Sequence, residues 1–114
     1  MVRKVIAYKT YFLDFYKAQD SKIQKKIEFV LDLVRHEERV PIKFFKLLKS
    51  TDSIYEIRVI TTFKSIRILC FLDGADLVVL TNTFVKKTQK TPRNVIKLAE
   101  KLKQEYLRDK NEKY

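Results

Sequence analysis

The sequence predicts an α+β fold: an N-terminal strand and a helical hairpin packed on a mainly antiparallel four-stranded sheet, with a C-terminal helix. Three observations predict it. Ile54 to Pro92 holds three extended runs, I-Y-E-I-R-V-I, S-I-R-I-L-C-F-L and L-V-V-L-T-N-T-F-V, separated by short turns. Apolar residues recur at helical spacing both before and after that stretch. The chain has 114 residues, 46% of them hydrophobic, which suits one domain around one core. No repeat, low-complexity block or linker divides it, so residues 1–114 are read as a single domain.

The elements follow in order. Val2 to Tyr8 alternates loosely and reads as a first strand. Thr10 is placed to cap a short helix running through Phe15 to Ala18, and Asp20 or Ser21 to open a stronger one. In that second helix Ile23, Ile27, Val30, Leu31 and Val34 form one face, and Lys22, Lys25, Lys26 and Glu28 the other. Pro41 ends the hairpin, and Ile42 to Leu48 is expected to be a short turn or helix. After the meander, Thr91 is expected as the N-cap of a last helix with Pro92 at its first position. Val95, Leu98, Ala99, Leu102 and Tyr106 then make its apolar stripe.

Charge narrows the partners. Lys and Arg number 25 against 14 Asp and Glu, a net charge of +11, which favours nucleic acid, an acidic protein or an anionic surface. No apolar run approaches the length of a membrane span, and no signal peptide is expected, so the expected location is the cytoplasm. The one cysteine, Cys70, permits no internal disulfide and sits in a hydrophobic strand. The one histidine, His36, falls at a helix end without partners for a metal. With Gly74 the only glycine, a glycine-rich phosphate loop is excluded.

Strand alternation assigns faces. A turn over Thr61 to Lys64, of two residues or four, pairs Ile60 with Ser65 and therefore Arg58 with Arg67. Glu56, Arg58, Ser65 and Arg67 then share one face, while Tyr55, Ile57, Val59, Ile66, Ile68, Cys70 and Leu72 form an apolar surface on the other. A one-residue slip would drive Arg67 into that surface. The same alternation adds Leu69, Phe71, Val78, Leu80, Asn82 and Phe84 to the arginine face, and Lys86 just beyond it. Arginines opposite one another repel, so something anionic must sit near them. Two readings stand: a solvated network around Glu56, or a phosphate held between the guanidinium forks. Lys86, Lys87, Lys90 and Arg93 gather at the start of the last helix, whose free N–H groups also favour anions. Phe84 is either a platform on which a base stacks or a core aromatic.

In the segments I-Y-E-I-R at 54–58, R-I-L at 67–69 and F-V-K-K-T-Q-K-T-P at 84–92, and in their order, the chain resembles the RelE/ParE toxin superfamily, and within it the HigB-like, phage-related branch. The likeness spans nearly the whole chain, with the N-terminal helices matching in pattern alone. It implies the toxin of a type II toxin–antitoxin module, acting as a metal-independent, ribosome-dependent mRNA endonuclease that blocks translation and needs no cofactor. The implied partners are a HigA-like helix-turn-helix antitoxin, mRNA and the ribosomal A site, with operator DNA reached only through the antitoxin and no membrane contact. The family's sheet arginines fall on Arg58 and Arg67 and its basic residues on Lys86 and Lys87. Relatives that use a histidine or tyrosine near the C-terminus have no histidine counterpart here; Tyr106 and Tyr114 are the nearby tyrosines.

For such a reaction Arg58 and Arg67 are the expected phosphate clamps, Lys86 or Lys87 the proton donor, and Glu56 either the base or the counter-ion of Arg58. Lys46, Lys49, Lys64 and Lys90 would steer RNA by charge, and Asn82, Phe84 and Arg93 extend the RNA-binding surface. Two alternatives share these features: a ParE-like inhibitor of DNA gyrase that cuts nothing, and a nucleic-acid-binding module without catalysis.

Overall fold

The computed structural model describes residues 2–112. Strand β1 (Lys4–Ala7) leads into α1 (Tyr11–Lys17) and α2 (Ser21–His36); then come β2 (Phe45–Leu47), β3 (Tyr55–Ile60), β4 (Ser65–Leu72), β5 (Leu77–Val85) and α3 (Arg93–Glu112). The fold is α+β as the sequence predicts, with one strand more than expected. The sheet has five strands in the order β1-β5-β4-β3-β2, and β1 alone runs parallel to its neighbour. The extra strand is β2: Pro41 turns the chain, its carbonyl accepting from the N–H groups of Phe44 and Phe45, and Phe45–Leu47 then pairs antiparallel with β3. No helix of the described residues is long and apolar enough to cross a membrane.

The Asp20 carboxylate caps α2 by accepting from the Ile23 N–H at 2.9 Å. Its apolar face (Ile27, Val30, Leu31 and Val34) is buried against Ile57, Val59, Ile66, Ile68 and Cys70. Each such side chain contributes about 1.5–3 kcal/mol on leaving water. This is the apolar face that alternation assigns, and the register beneath it is also as expected: Ile60 lies opposite Ser65, and Arg58 opposite Arg67. The hairpin is closed by the Thr61 N–H donating to the Lys64 carbonyl at 2.8 Å. The second turn passes through Gly74 at a φ of 79°, where a side chain would be strained.

One face assignment fails. Ile68 lies opposite Thr83 but Cys70 opposite Leu80, so β5 carries an extra residue against Leu69. This β-bulge re-phases the strand: Val78 and Leu80 join the α1–α2 side, not the arginine side, and Val79 takes their place beside Leu69 and Phe71. The Thr81 hydroxyl steadies it by donating to the Leu69 carbonyl at 3.0 Å. On that side α3 covers Ile54, Leu69, Phe71 and Val79 through Val95, Ala99 and Tyr106. The last helix starts one residue later than expected, at Arg93, with the Pro92 carbonyl accepting from Ile96.

Candidate active site

Glu56 is fully buried in the middle of β3, between Lys46 on β2 and Leu69 on β4. A carboxylate in such a place needs partners for its charge. Its Oε1 accepts from Arg58 Nε at 3.0 Å, and Arg67 Nε lies 3.3 Å from the same oxygen. Its Oε2 accepts from the Thr91 hydroxyl at 2.6 Å. The two guanidinium groups therefore converge on one atom, which offsets the repulsion that their cross-strand pairing creates.

Arg67 is the less satisfied of the two. Its Nε is close enough to Glu56 for charge attraction but poorly aligned, and it has no hydrogen-bond partner. Nη1 reaches only the Ile66 carbonyl, at 3.5 Å. The side chain lines an open cleft of about 430 Å³ with Ser65, Lys86, Lys87, Thr88 and Gln89. Burial pulls the Arg67 guanidinium below its usual pKa, Glu56 opposes the shift and Arg58 adds to it. Lys86 is lowered too: burial is the main cause, Glu56 works against it, and Arg67, Arg58 and Lys46 reinforce it. Lys86 thus releases its proton more readily than an isolated lysine.

Five of the expected residues meet here: Glu56, Arg58, Arg67, Lys86 and, through its influence on Lys86, Lys46. Lys87 lines the same cleft. Lys90 and Arg93 are exposed at the entrance to α3, and Lys49 is exposed in the turn after β2. Three others are placed differently. Lys64 points to the other side of the sheet, where Nζ donates to Gln19 Oε1 at 3.0 Å; it precedes Ser65 by one step of the alternation. Asn82 is buried and donates to the Val95 carbonyl at 3.1 Å, so it fastens α3. Phe84 packs into the core beneath that helix and serves as a core aromatic, not a free stacking platform. As for Glu56, its burial and its three partners suit a counter-ion that positions the arginines, not a base that meets a ribose.

The tyrosines are engaged elsewhere. Tyr106 donates to Asp73 at 2.7 Å and is pushed up to about 12, mainly by burial, then by the Asp73 carboxylate. Tyr114 lies outside the described residues. Burial pushes the Cys70 thiol up as well, which leaves it an inert core residue. Among the described residues, no cluster of three or more His, Cys, Asp or Glu side chains could hold a metal ion.

Sequence reasoning missed Thr91 as part of the site. It reads as a helix cap, yet its hydroxyl goes to Glu56. Only its place inside K-T-Q-K-T-P, next to the basic residues, hinted at the site. The family model described as phage-derived protein Gp49-like (DUF891) matches residues 14–104, a span that holds every residue of the cluster. No curated protein matches the chain.

Proposed function

The chain belongs to the phage-derived Gp49-like family, a RelE/toxin-like family, and from that premise we propose that it is the HigB-like toxin of a type II toxin–antitoxin module, an endonuclease that cuts mRNA on the ribosome. One observation carries the catalytic part. Arg67 lines an open cationic cleft with its guanidinium held only by charge attraction to Glu56 at Nε and one long contact at Nη1. That is how a site waits for a phosphate whose charge rises during reaction.

The chemistry requires no external nucleophile. The ribose 2′-oxygen attacks the adjacent phosphorus and loses its proton to solvent or to a ribosomal group. The new P–O bond closes a 2′,3′-cyclic phosphate while the P–O5′ bond breaks. Arg67 and Arg58 neutralise the extra charge on the phosphoryl oxygens, and Lys86 gives its proton to the departing 5′-oxygen. Lys87, Lys46, Lys49, Lys90 and Arg93 draw the RNA in by charge, with strong salt dependence. The lowered Lys86 pKa supports the proton-transfer role, since a module that only holds backbone has no use for an acidified lysine. A gyrase inhibitor would need no clamp at all. The inhibiting partner is a helix-turn-helix antitoxin with an acidic segment, and operator DNA is bound through that antitoxin.

Arg67→Ala should lower cleavage of ribosome-bound mRNA by about 10²–10³-fold while the circular dichroism spectrum stays that of the parent. Products should end in a cyclic phosphate and a 5′-hydroxyl. A folded Arg67→Ala protein that cuts RNA and arrests growth like the parent would remove the clamp from the mechanism. Gyrase poisoning by the parent without RNA cleavage would favour the ParE-like reading.

A further inference from the structure

An open apolar surface lies at the β3–β4 turn, beside the start of α2. The β3–β4 turn projects Phe63, which is 94% exposed, and Ile60 beside it is 55% exposed. The turn is not slack: the Thr61 hydroxyl accepts from the Lys64 N–H at 3.0 Å, and Lys64 Nζ is held by Gln19 at 3.0 Å. Between this turn and the start of α2 runs a groove of about 850 Å³, floored by Ile23, Ile60 and Phe63 and rimmed by Lys22, Lys26 and Lys64. A smaller cavity lined by Lys43, Phe44 and Arg58 adjoins it, sharing Lys26 and Ile60. Asp20 is the one carboxylate lining the groove, and it is engaged as the cap of α2.

We propose that this groove is the docking site for an acidic, amphipathic segment of a partner protein, whose apolar side chains seat on Ile60 and Phe63 and whose carboxylates meet Lys22 and Lys26. An exposed aromatic on a hydrogen-bonded turn, with exposed Ile60 beside it and a groove below, marks an interaction surface. Charge selects the occupant. Lys22 and Lys26 stand one helical turn apart on α2, so carboxylates on one edge of an extended or helical segment reach both. A second copy of this chain fits poorly, because it brings a net charge of +11 to a basic rim. RNA would find a single stacking surface here, Phe63, while Ile23 and Ile60 offer bases none, so the apolar side chains of a peptide match more of the groove. The inference does not depend on the nuclease reading: none of the residues assigned to the phosphate lines the main groove, and Arg58 enters only through the adjoining cavity.

The test uses the full chain and a fluorescent helical peptide with leucines at i, i+3, i+4 and i+7 and glutamates elsewhere. A glutamate-only peptide of equal length and a single-stranded RNA are the controls. The leucine–glutamate peptide should bind more tightly than the glutamate-only one, with amide shifts centred on residues 20–26 and 60–64. Ile60→Thr with Phe63→Ser should weaken that peptide about tenfold and leave both controls unchanged. Lys22→Glu with Lys26→Glu should weaken it independently. Equal binding of the two peptides, or a surface pair that binds like the parent, would overturn the proposal. Loss of RNA binding in the Ile60/Phe63 pair would assign the groove to RNA instead.

Discussion

α3 divides one face of the sheet into two unlike halves. Around Leu69, Phe71 and Val79 the helix sits on apolar contacts, with Tyr8 and Tyr106 edge-on to one another at 5.4 Å between ring centroids. Their hydroxyls reach outward to Asp109 and Asp73, each at 2.7 Å, and both tyrosines are pushed up to about 12 and stay neutral. The other half begins where the helix stops. There one buried carboxylate, Glu56, is shared by two arginines, and the Thr91 hydroxyl ties it to the approach to α3. The difference teaches how a small fold keeps charges buried. The apolar half holds the helix down, so the charged half can serve the anion of the proposed reaction.

The sharpest way to break that division is to damage each half in turn. Phe71→Ala removes a fully buried ring from the adhesive half and should cost about 3–5 kcal/mol in denaturant unfolding. Cleavage per folded molecule should change little. Glu56→Gln strikes the charged half and should cost about 3 kcal/mol, the low end for breaking a buried pair, because Arg58 keeps some access to water. Unlike Phe71→Ala it should also lower cleavage by the folded fraction, since the arginines lose their common anchor. If both variants affect stability alone, the halves are not functionally distinct.

Smaller changes sharpen the same boundary. Thr91→Val deletes a hydrogen bond to a charged group and should cost about 1.5–3 kcal/mol; Thr91→Ser, which keeps the hydroxyl, should recover most of it in a thermal or chemical melt. The smallest effect concerns pH. Lys86 acts as an acid in the proposed reaction, so the rate falls as pH rises through its pKa. That pKa is lowered, so the decline should begin earlier than for an ordinary lysine. Lys86→Arg keeps the charge and removes the titration. A pH–rate profile in which the alkaline decline vanishes together with most of the rate supports proton transfer; an unchanged rate would reduce Lys86 to a charge.

The charged half was more legible in the sequence than the adhesive half, for a physical reason. Arg67 flanked by Ile66 and Ile68 leaves one register, because the alternative buries a guanidinium among aliphatics. L-V-V-L at 77–80 offers no such contrast: every phase is apolar, so nothing in the letters marks the bulge that sends Val78 and Leu80 to the other side. Phe44 to Leu48 is equally mute, since F-F-K-L-L fits a turn, a helix or the short strand that it forms. The roles of Asn82 and Phe84 depend on where α3 crosses the sheet, which alternation along one strand does not encode. Lys64 was readable, one position from Ser65 and therefore facing the other way.

The extra residue in β5 also separates two design problems. Remove Thr81 on paper, and Leu80 still faces Cys70 while Thr83 still faces Ile68, so the ladder becomes regular with each side chain on its present side. The insertion is therefore not needed for sorting inside from outside. What it adds is a bend and extra twist in the strand that carries Lys86 and Lys87 out of the sheet. Reach and curvature of that basic arm are then set at one buried position, Thr81, separately from the pattern that sorts inside from outside.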